Sequence, residues 1–352
     1  MYIIKYMKSI GHDVTVVTTT SPHRIYDSTI LEGVQVDRRP VLARIRGPRV
    51  TVPVYAPGAR ITREIIGAKF DLIHSFTFLT YSSLLGAVGI RARKILRTEV
   101  GPPVPLVNGY PTIFGRIRSS GTLLLLVRAY SKIFDKLTAY TSTEAKSLRM
   151  LGVPQTKISL LPPMVDYEYY SHIEPVEHDI PTFGCLARIH YVKGIDRIIT
   201  PIRGLLEQNL EFRFILGGRI EQNAYGHQIL RALTEVLGNR LVLMGELQSP
   251  RVFYKEVDAV IVPSRYETGA ISVLESLASG RTTIASDIHP INEYVASGVN
   301  GFLFSSESQL FNIMKEFILR GSPKGMVESA RRTGRTFDYK HVLAEQYMEM
   351  LA

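Results

Sequence analysis

Val262-Pro-Ser-Arg-Tyr-Glu-Thr-Gly-Ala-Ile-Ser-Val-Leu-Glu-Ser-Leu-Ala-Ser-Gly280 is the stretch on which the reading of this chain turns. It opens at the end of a short β-branched run, Ala259–Val262, and closes in a segment of helical period, Ala270–Ser279. A strand, a loop and a helix in that order form half of a parallel βαβ unit. Glu267 falls in the loop leaving the strand, and ligands of open α/β sheets bind at those carboxyl ends. Thr268-Gly269-Ala270 then leads into the helix, whose first N–H groups lack partners and suit a phosphate oxygen. On that helix Ile271, Leu274, Leu277 and Ala278 form an expected apolar stripe, with Glu275 one turn beyond Ile271 at its edge. A carboxylate there is costly unless hydrogen-bonded, and the diol of a ribose would supply two donors. Spacing alone leaves open an ordinary exposed helix glutamate and an ordinary loop glutamate.

The same alternation runs along the chain in both directions. Strands are expected at Val14–Thr19, Val34–Asp37, Leu72–Ser75, Ile95–Thr98, Leu137–Tyr140 and Ile158–Leu161. Beyond them come Thr182–Leu186, Phe212–Leu216, Leu241–Met244, Ala259–Val262, Thr282–Ala285 and Gly301–Phe304. Helical stretches such as Ile195–Gln208 and Gly226–Leu237 lie between, so the fold class is α/β, with parallel sheets covered on both faces. A length of 352 residues suits two domains. Pro162-Pro163 and the polar stretch His172–Pro181 mark the linker region, which divides the chain into 1–165, 166–335 and a closing helix at 336–352 expected to pack back on the first domain. Ahead of the first strand stands a helix-like piece, Tyr2–Ser9. A doubly wound sheet begins with a strand and a glycine-rich turn, so the first domain is expected to lack its first strand, with some twenty residues upstream in the natural product.

Composition narrows the function classes. The chain is 45% hydrophobic and 21% charged, which excludes a disordered or collagen-like protein. The longest apolar run, Leu123–Val127, is far short of the roughly 18 residues a bilayer span needs. A single cysteine, Cys185, cannot form an internal disulfide, and Met1–Ser9 does not have the order of a signal peptide, so the expected setting is cytoplasmic. Residues 1–160 hold 23 of the 42 Lys and Arg but 9 of the 32 Asp and Glu, a balance of +14 that leaves −4 for the remainder. A basic first half suits an anionic partner, and the alternative is a solubilising surface. The segment from Ile113 to Lys132 mixes apolar and basic residues. It reads as a buried helix of the first domain, or as an interfacial helix giving peripheral contact with an anionic inner membrane face. Charge alone does not support a nucleic-acid partner without a motif.

A second cluster, Gly184-Cys-Leu-Ala-Arg-Ile-His-Tyr-Val-Lys-Gly-Ile-Asp196, places Arg188 and Lys193 in the loop after a strand. Two cations there suit a diphosphate and would stabilise charge developing on a departing phosphate. Either could equally be a surface charge.

Together these clusters resemble the retaining glycosyltransferases of family 4, which have the two-domain GT-B fold of two Rossmann-like sheets facing a cleft. Ala187-Arg188…Lys193-Gly194, Pro263-Ser264…Glu267…Glu275 and Gly298…Asn300-Gly301-Phe302-Leu303-Phe304 carry the resemblance. It implies that Arg188 and Lys193 bind the donor diphosphate and that Glu267 contacts the donor sugar near the reacting carbon. Glu275 would bind the ribose, the backbone at Gly269, Ala270 and Ile271 would position sugar and phosphate, and Gly217 and Gly218 would pass close to the nucleotide. The implied substrates are a nucleotide-diphosphate sugar and a glycan, lipid or lipid-linked acceptor. Retention is ascribed in the family to front-face attack assisted by the leaving phosphate. No Asp-x-Asp occurs, so no metal or other cofactor is expected. The chain departs from the family in lacking the first glycine-rich loop. It also has Glu99-Val100 where a histidine is usual, Phe76 after His74, and Thr268 and Ala270 where glycine and phenylalanine are common. His74 is read as a structural histidine. An inactive nucleotide-sugar-binding or scaffold protein is the alternative function.

Overall fold

The computed structural model describes residues 2–14, 16–19, 30–31, 34–39, 41–46, 51–55, 71–76, 92–97, 122–221 and 224–351. The chain divides into two compact units, Met1–Pro162 with Leu343–Ala352, and Pro163–Val342.

The second unit is built on six parallel strands in the spatial order Leu241–Gly245, Arg213–Gly217, Thr182–Leu186, Ala259–Val262, Thr282–Ser286, Phe302–Phe304. Numbered along the chain this is 3-2-1-4-5-6, the doubly wound order. Both faces are buried, so alternate residues enter two separate cores. Phe183, Cys185, Phe214, Leu216, Ile261 and Ile284 pack with Ile202, Leu233 and Met314 from helices on one side. Ile215, Val260, Val262 and Ala285 pack with Tyr254, Leu274, Leu277 and Ala330 on the other. This two-sided burial explains why the strands read as unbroken apolar runs. Cys185 lies in the first core, where desolvation pushes its thiol up to about 12, leaving it protonated and inert.

The first unit holds a four-stranded parallel sheet, Leu72–Phe76, Arg93–Arg97, Lys136–Ala139 and Ile158–Leu160 in spatial order. Its core contains Leu96, Leu137, Ala139 and Leu148, with Val127, Tyr130 and Phe134 from the region of the helix Thr122–Ile133. The helix Ser142–Met150 is capped from its own first turn: Thr141 accepts from the Glu144 N–H at 3.1 Å, and Glu144 accepts from the Tyr140 N–H at 2.7 Å. Elsewhere in this unit Val16–Thr19 runs parallel to Val34–Arg39, and Ile30–Leu31 pairs antiparallel with the latter. Val41–Arg46 and Thr51–Tyr55 form an antiparallel pair that the sequence reading did not include. Pro53, opposite Arg44 in that pair, removes a ladder donor and breaks the strand pattern.

The last residues of the chain return to this first sheet. The Tyr347 hydroxyl lies 2.9 Å from His74 Nδ1 with the two rings stacked, and Arg93 donates to the carbonyls of Met350 and Leu351. Residues 337–339 stay with the second unit, where Val165 N–H donates to the Phe337 carbonyl and Tyr339 N–H to that of Val165. Among the described residues no helix is long and apolar enough to cross a membrane. The proposed interfacial segment falls at 113–121 outside the described residues, and Val127 and Tyr130 in its remainder are buried in the core.

Candidate active site

In the second unit's sheet the strand order reverses between Thr182–Leu186 and Ala259–Val262, and the loops leaving these two neighbours hold both clusters singled out from the sequence. The first loop is held to the next strand along. Ala187 N–H donates to the Gly217 carbonyl and Ile189 N–H to that of Arg219, both at 2.9 Å. Gly218 has φ +122°, and a Cβ there would stand 2.1 Å from the Ala187 carbonyl oxygen. Only glycine fits. A Cβ on Gly217 would stand 2.8 Å from the Leu186 side chain. This close packing is a sufficient reason for both glycines.

The two site loops are joined at the reversal. Gly194 has φ +64°, and a Cβ there would lie 2.2 Å from the Pro263 carbonyl oxygen. Arg265 N–H donates to the Val192 carbonyl at 2.8 Å, and Arg197 donates to the Pro263 carbonyl at 3.1 Å and to Ser286 Oγ at 2.8 Å. The Arg265 guanidinium grips Asp196 with both arms, donates to the Tyr191 carbonyl, and lies 4.2 Å from the Tyr191 ring centre. Burial works against ionisation of Asp196, but hydrogen bonds from Arg265 and Tyr225 outweigh it and hold the carboxyl below its ordinary range.

On this frame Lys193 and Glu267 meet. Lys193 Nζ donates to Glu267 Oε1 at 2.6 Å, and Ser264 Oγ donates to the same oxygen at 2.7 Å. Glu267 is buried, and its Oε2 makes no hydrogen bond among the described residues. Arg188 lies apart from this pair. Its side chain is 63% exposed and donates to Glu221 Oε1 at 3.0 Å, with His190 Nε2 3.9 Å from the other oxygen of Glu221.

Glu275 projects from the helix Ile271–Ser279 between two buried tyrosines. Tyr170 donates to Oε1 at 2.7 Å and Tyr254 to Oε2 at 2.9 Å. Desolvation raises its pKa, and the two hydroxyls draw it part of the way back. The helix begins at Ala270, which is buried in the left-handed region at φ +46°, with no side chain capping the N-terminus. A non-glycine residue there is strained, and the uncapped turn leaves N–H groups for an anion. Ile271 corrects the sequence reading: it is 42% exposed and outside the apolar stripe, which consists of Val273, Leu274, Leu277 and Ala278. Val273 takes the place of Ile271 on the stripe, which turns its centre by about 40° at 100° per residue. Asp196, Arg265, Tyr170 and Tyr254 were not singled out from the sequence. Their partners stand far away along the chain, 69 residues in the case of Arg265 and Asp196.

Residues 180–318 match the family model described as glycosyl transferases group 1, and residues 1–169 match that of glycosyltransferase family 4. The chain belongs to glycosyltransferase family 4. The Anabaena HepE structure in complex with UDP and glucose superposes with a TM-score of 0.71 at 17% identity, covering 91% of this chain and 86% of that one. Sucrose-phosphate synthase from Thermosynechococcus elongatus gives 0.73 at 18%, covering 99% and 91%. These likenesses show the GT-B fold. Among curated relatives, the lipopolysaccharide core biosynthesis mannosyltransferase LpcC of Rhizobium leguminosarum bv. viciae is 26% identical over 49% of this chain and 52% of its own length. The uncharacterized glycosyltransferase MJ1607 of Methanocaldococcus jannaschii is 24% identical over 83% and 76%. The match to LpcC thus spans about half of that relative, and the match to MJ1607 about three quarters.

Proposed function

We propose that this family 4 member transfers a hexose from a nucleotide-diphosphate sugar to a glycan, lipid or lipid-linked acceptor, with retention of anomeric configuration and without a metal ion. The observation that carries this is the Lys193–Glu267 contact of 2.6 Å at the carboxyl ends of the two strands where the order reverses. Lys193 has three N–H donors and gives one to Glu267, so two are left for the oxygens of a diphosphate. Glu267 has its Oε1 occupied by Lys193 and Ser264, so Oε2 is the atom that would accept from a sugar hydroxyl. Arg188 would join Lys193 by leaving Glu221, and an exposed pair of that kind is worth at most about 1 kcal/mol. The open first turn at Ala270–Ile271 would add N–H groups to the sugar and phosphate. Glu275, pre-set by two tyrosines, would take the ribose hydroxyls.

In the reaction the bond from the anomeric carbon to the phosphate oxygen breaks, and its electron pair leaves on the diphosphate beside Lys193 and Arg188. The acceptor hydroxyl bonds to that carbon from the same face and gives its proton to the leaving phosphate oxygen. Charge is neutralised where it develops, the usual source of the largest rate enhancement. The relatives' names support the substrate classes, since one is a lipopolysaccharide core mannosyltransferase and HepE was crystallised with UDP and glucose.

A panel of UDP-, GDP- and ADP-sugars tests the proposal, with nucleoside diphosphate release as the rate and proton NMR for the anomer set free. We expect slow hydrolysis of one donor with its configuration kept. Turnover of none, or an inverted product, contradicts it.

A further inference from the structure

Arg97 ends the strand Arg93–Arg97 at the carboxyl edge of the first unit's sheet, in register with Phe76 and Thr138 on its two neighbours. It is 5% exposed. Its guanidinium carbon lies 3.9 Å from the centre of the Tyr140 ring, and Nη2 makes one long hydrogen bond of 3.4 Å to the Leu161 carbonyl. Its Nε is buried with no acceptor. No carboxylate pairs with Arg97 among the described residues.

A guanidinium keeps its charge at any physiological pH and brings five donors in a fixed plane. Buried without an anion it is costly, and an aromatic face offers attraction but no hydrogen-bond acceptor. The adjacent strand does not supply the missing charge. His74 is held neutral, its pKa lowered to about 3 by burial and then by the field of Arg97 itself. Among the described residues positive potential is therefore uncompensated at the end of a parallel sheet where α/β proteins take ligands, in the half of the chain whose balance is +14 over residues 1–160.

We propose that Arg97, its plane set by the Tyr140 ring, binds an oxyanion carried by the acceptor, a phosphate or a carboxylate group. This rests on the glycosyltransferase reading above and narrows its acceptor to an anionic one. A planar fork with an unpaired Nε suits the two-point recognition that both oxyanions offer.

The test follows the arginine Nε–H signals of the full-length protein by 15N NMR, with the Arg97 signal identified as the one missing in R97K. Inorganic phosphate and acetate are titrated separately against chloride at matched ionic strength. We expect a saturable shift of the Arg97 signal with phosphate, acetate or both, and the one that acts names the oxyanion. The same response in K193A shows that it does not originate at the candidate donor site. An Arg97 signal that ignores both anions, or moves equally with chloride, overturns the inference and leaves Arg97 a structural residue. Donor hydrolysis by the wild-type chain is a separate readout: its failure counts against the proposed function and not against anion binding at Arg97.

Discussion

In the second unit three cations of the site loops each meet an acid, Lys193 with Glu267, Arg188 with Glu221 and Arg265 with Asp196, while Arg197 is held by the Pro263 carbonyl and Ser286 Oγ. In the first unit Arg97, also at the carboxyl edge of a parallel sheet, meets none among the described residues. The contrast separates two ways of preparing for an anion. A paired cation is held in place by an acid that can let it go or share it, and the acid then becomes available to a substrate hydroxyl. A lone buried cation such as Arg97 is held by a ring face and one long hydrogen bond, and on the proposal above it gains its counter-charge from the ligand. The second unit joins its site loops through Gly194 against Pro263, Arg265 against Val192 and Gly218 against Ala187. Its geometry is thereby fixed before any substrate binds.

The comparison can be broken first at the paired cation. Lys193→Ala and Glu267→Ala should each lower sugar transfer or donor hydrolysis by about 10²–10³-fold, as expected for one electrostatic contact to a transition state. Their thermal unfolding should stay close to wild type. Rates within tenfold of wild type would show that the pair serves structure alone.

Next comes the backbone frame. Gly218→Ala places a methyl 2.1 Å from the Ala187 carbonyl oxygen at a positive φ, and should cost about 2–4 kcal/mol in denaturant unfolding. Unchanged stability would mean that the loop is loose.

His74 sharpens the account of the first unit. Its folded pKa is depressed to about 3 from the ordinary 6.5, so the unfolded chain binds the proton more readily. Its contribution is fully present above pH 6.5 and is lost as pH falls toward about 3, by up to about 1.4 kcal/mol per pH unit. Urea midpoints measured across that window should fall more steeply for wild type than for His74→Asn. Parallel curves for the two proteins would place His74 in a wetter setting than the buried one beside Tyr347.

The smallest effect is expected at Ile271. With 42% of it exposed, Ile271→Ser should change stability by less than about 0.5 kcal/mol. A loss above about 2 kcal/mol would return Ile271 to the apolar stripe.

Much of this architecture was legible in the order of residues. Strands buried on two faces, such as Ala259–Val262 and Thr282–Ser286, read as β-branched runs. Their loops could be placed before any coordinates, and with them Lys193 and Glu267. What stayed hidden depends on contacts distant in the chain. Nothing local in Asp196 or Arg265 foretells their pairing, and Tyr170 and Tyr254 approach Glu275 from other helices. Gly217 and Gly218 were read toward a nucleotide, while their packing against Leu186 and Ala187 becomes visible only in three dimensions. The Val41–Arg46 and Thr51–Tyr55 pair escaped because Pro53 and interleaved arginines disguise the strand pattern.

Calorimetric titration of the nucleoside diphosphate released from the preferred donor into wild type and Lys193→Ala addresses the central claim most directly. Binding by wild type that weakens at least tenfold in the variant is the result this account predicts. Equal affinity in the two proteins would contradict it.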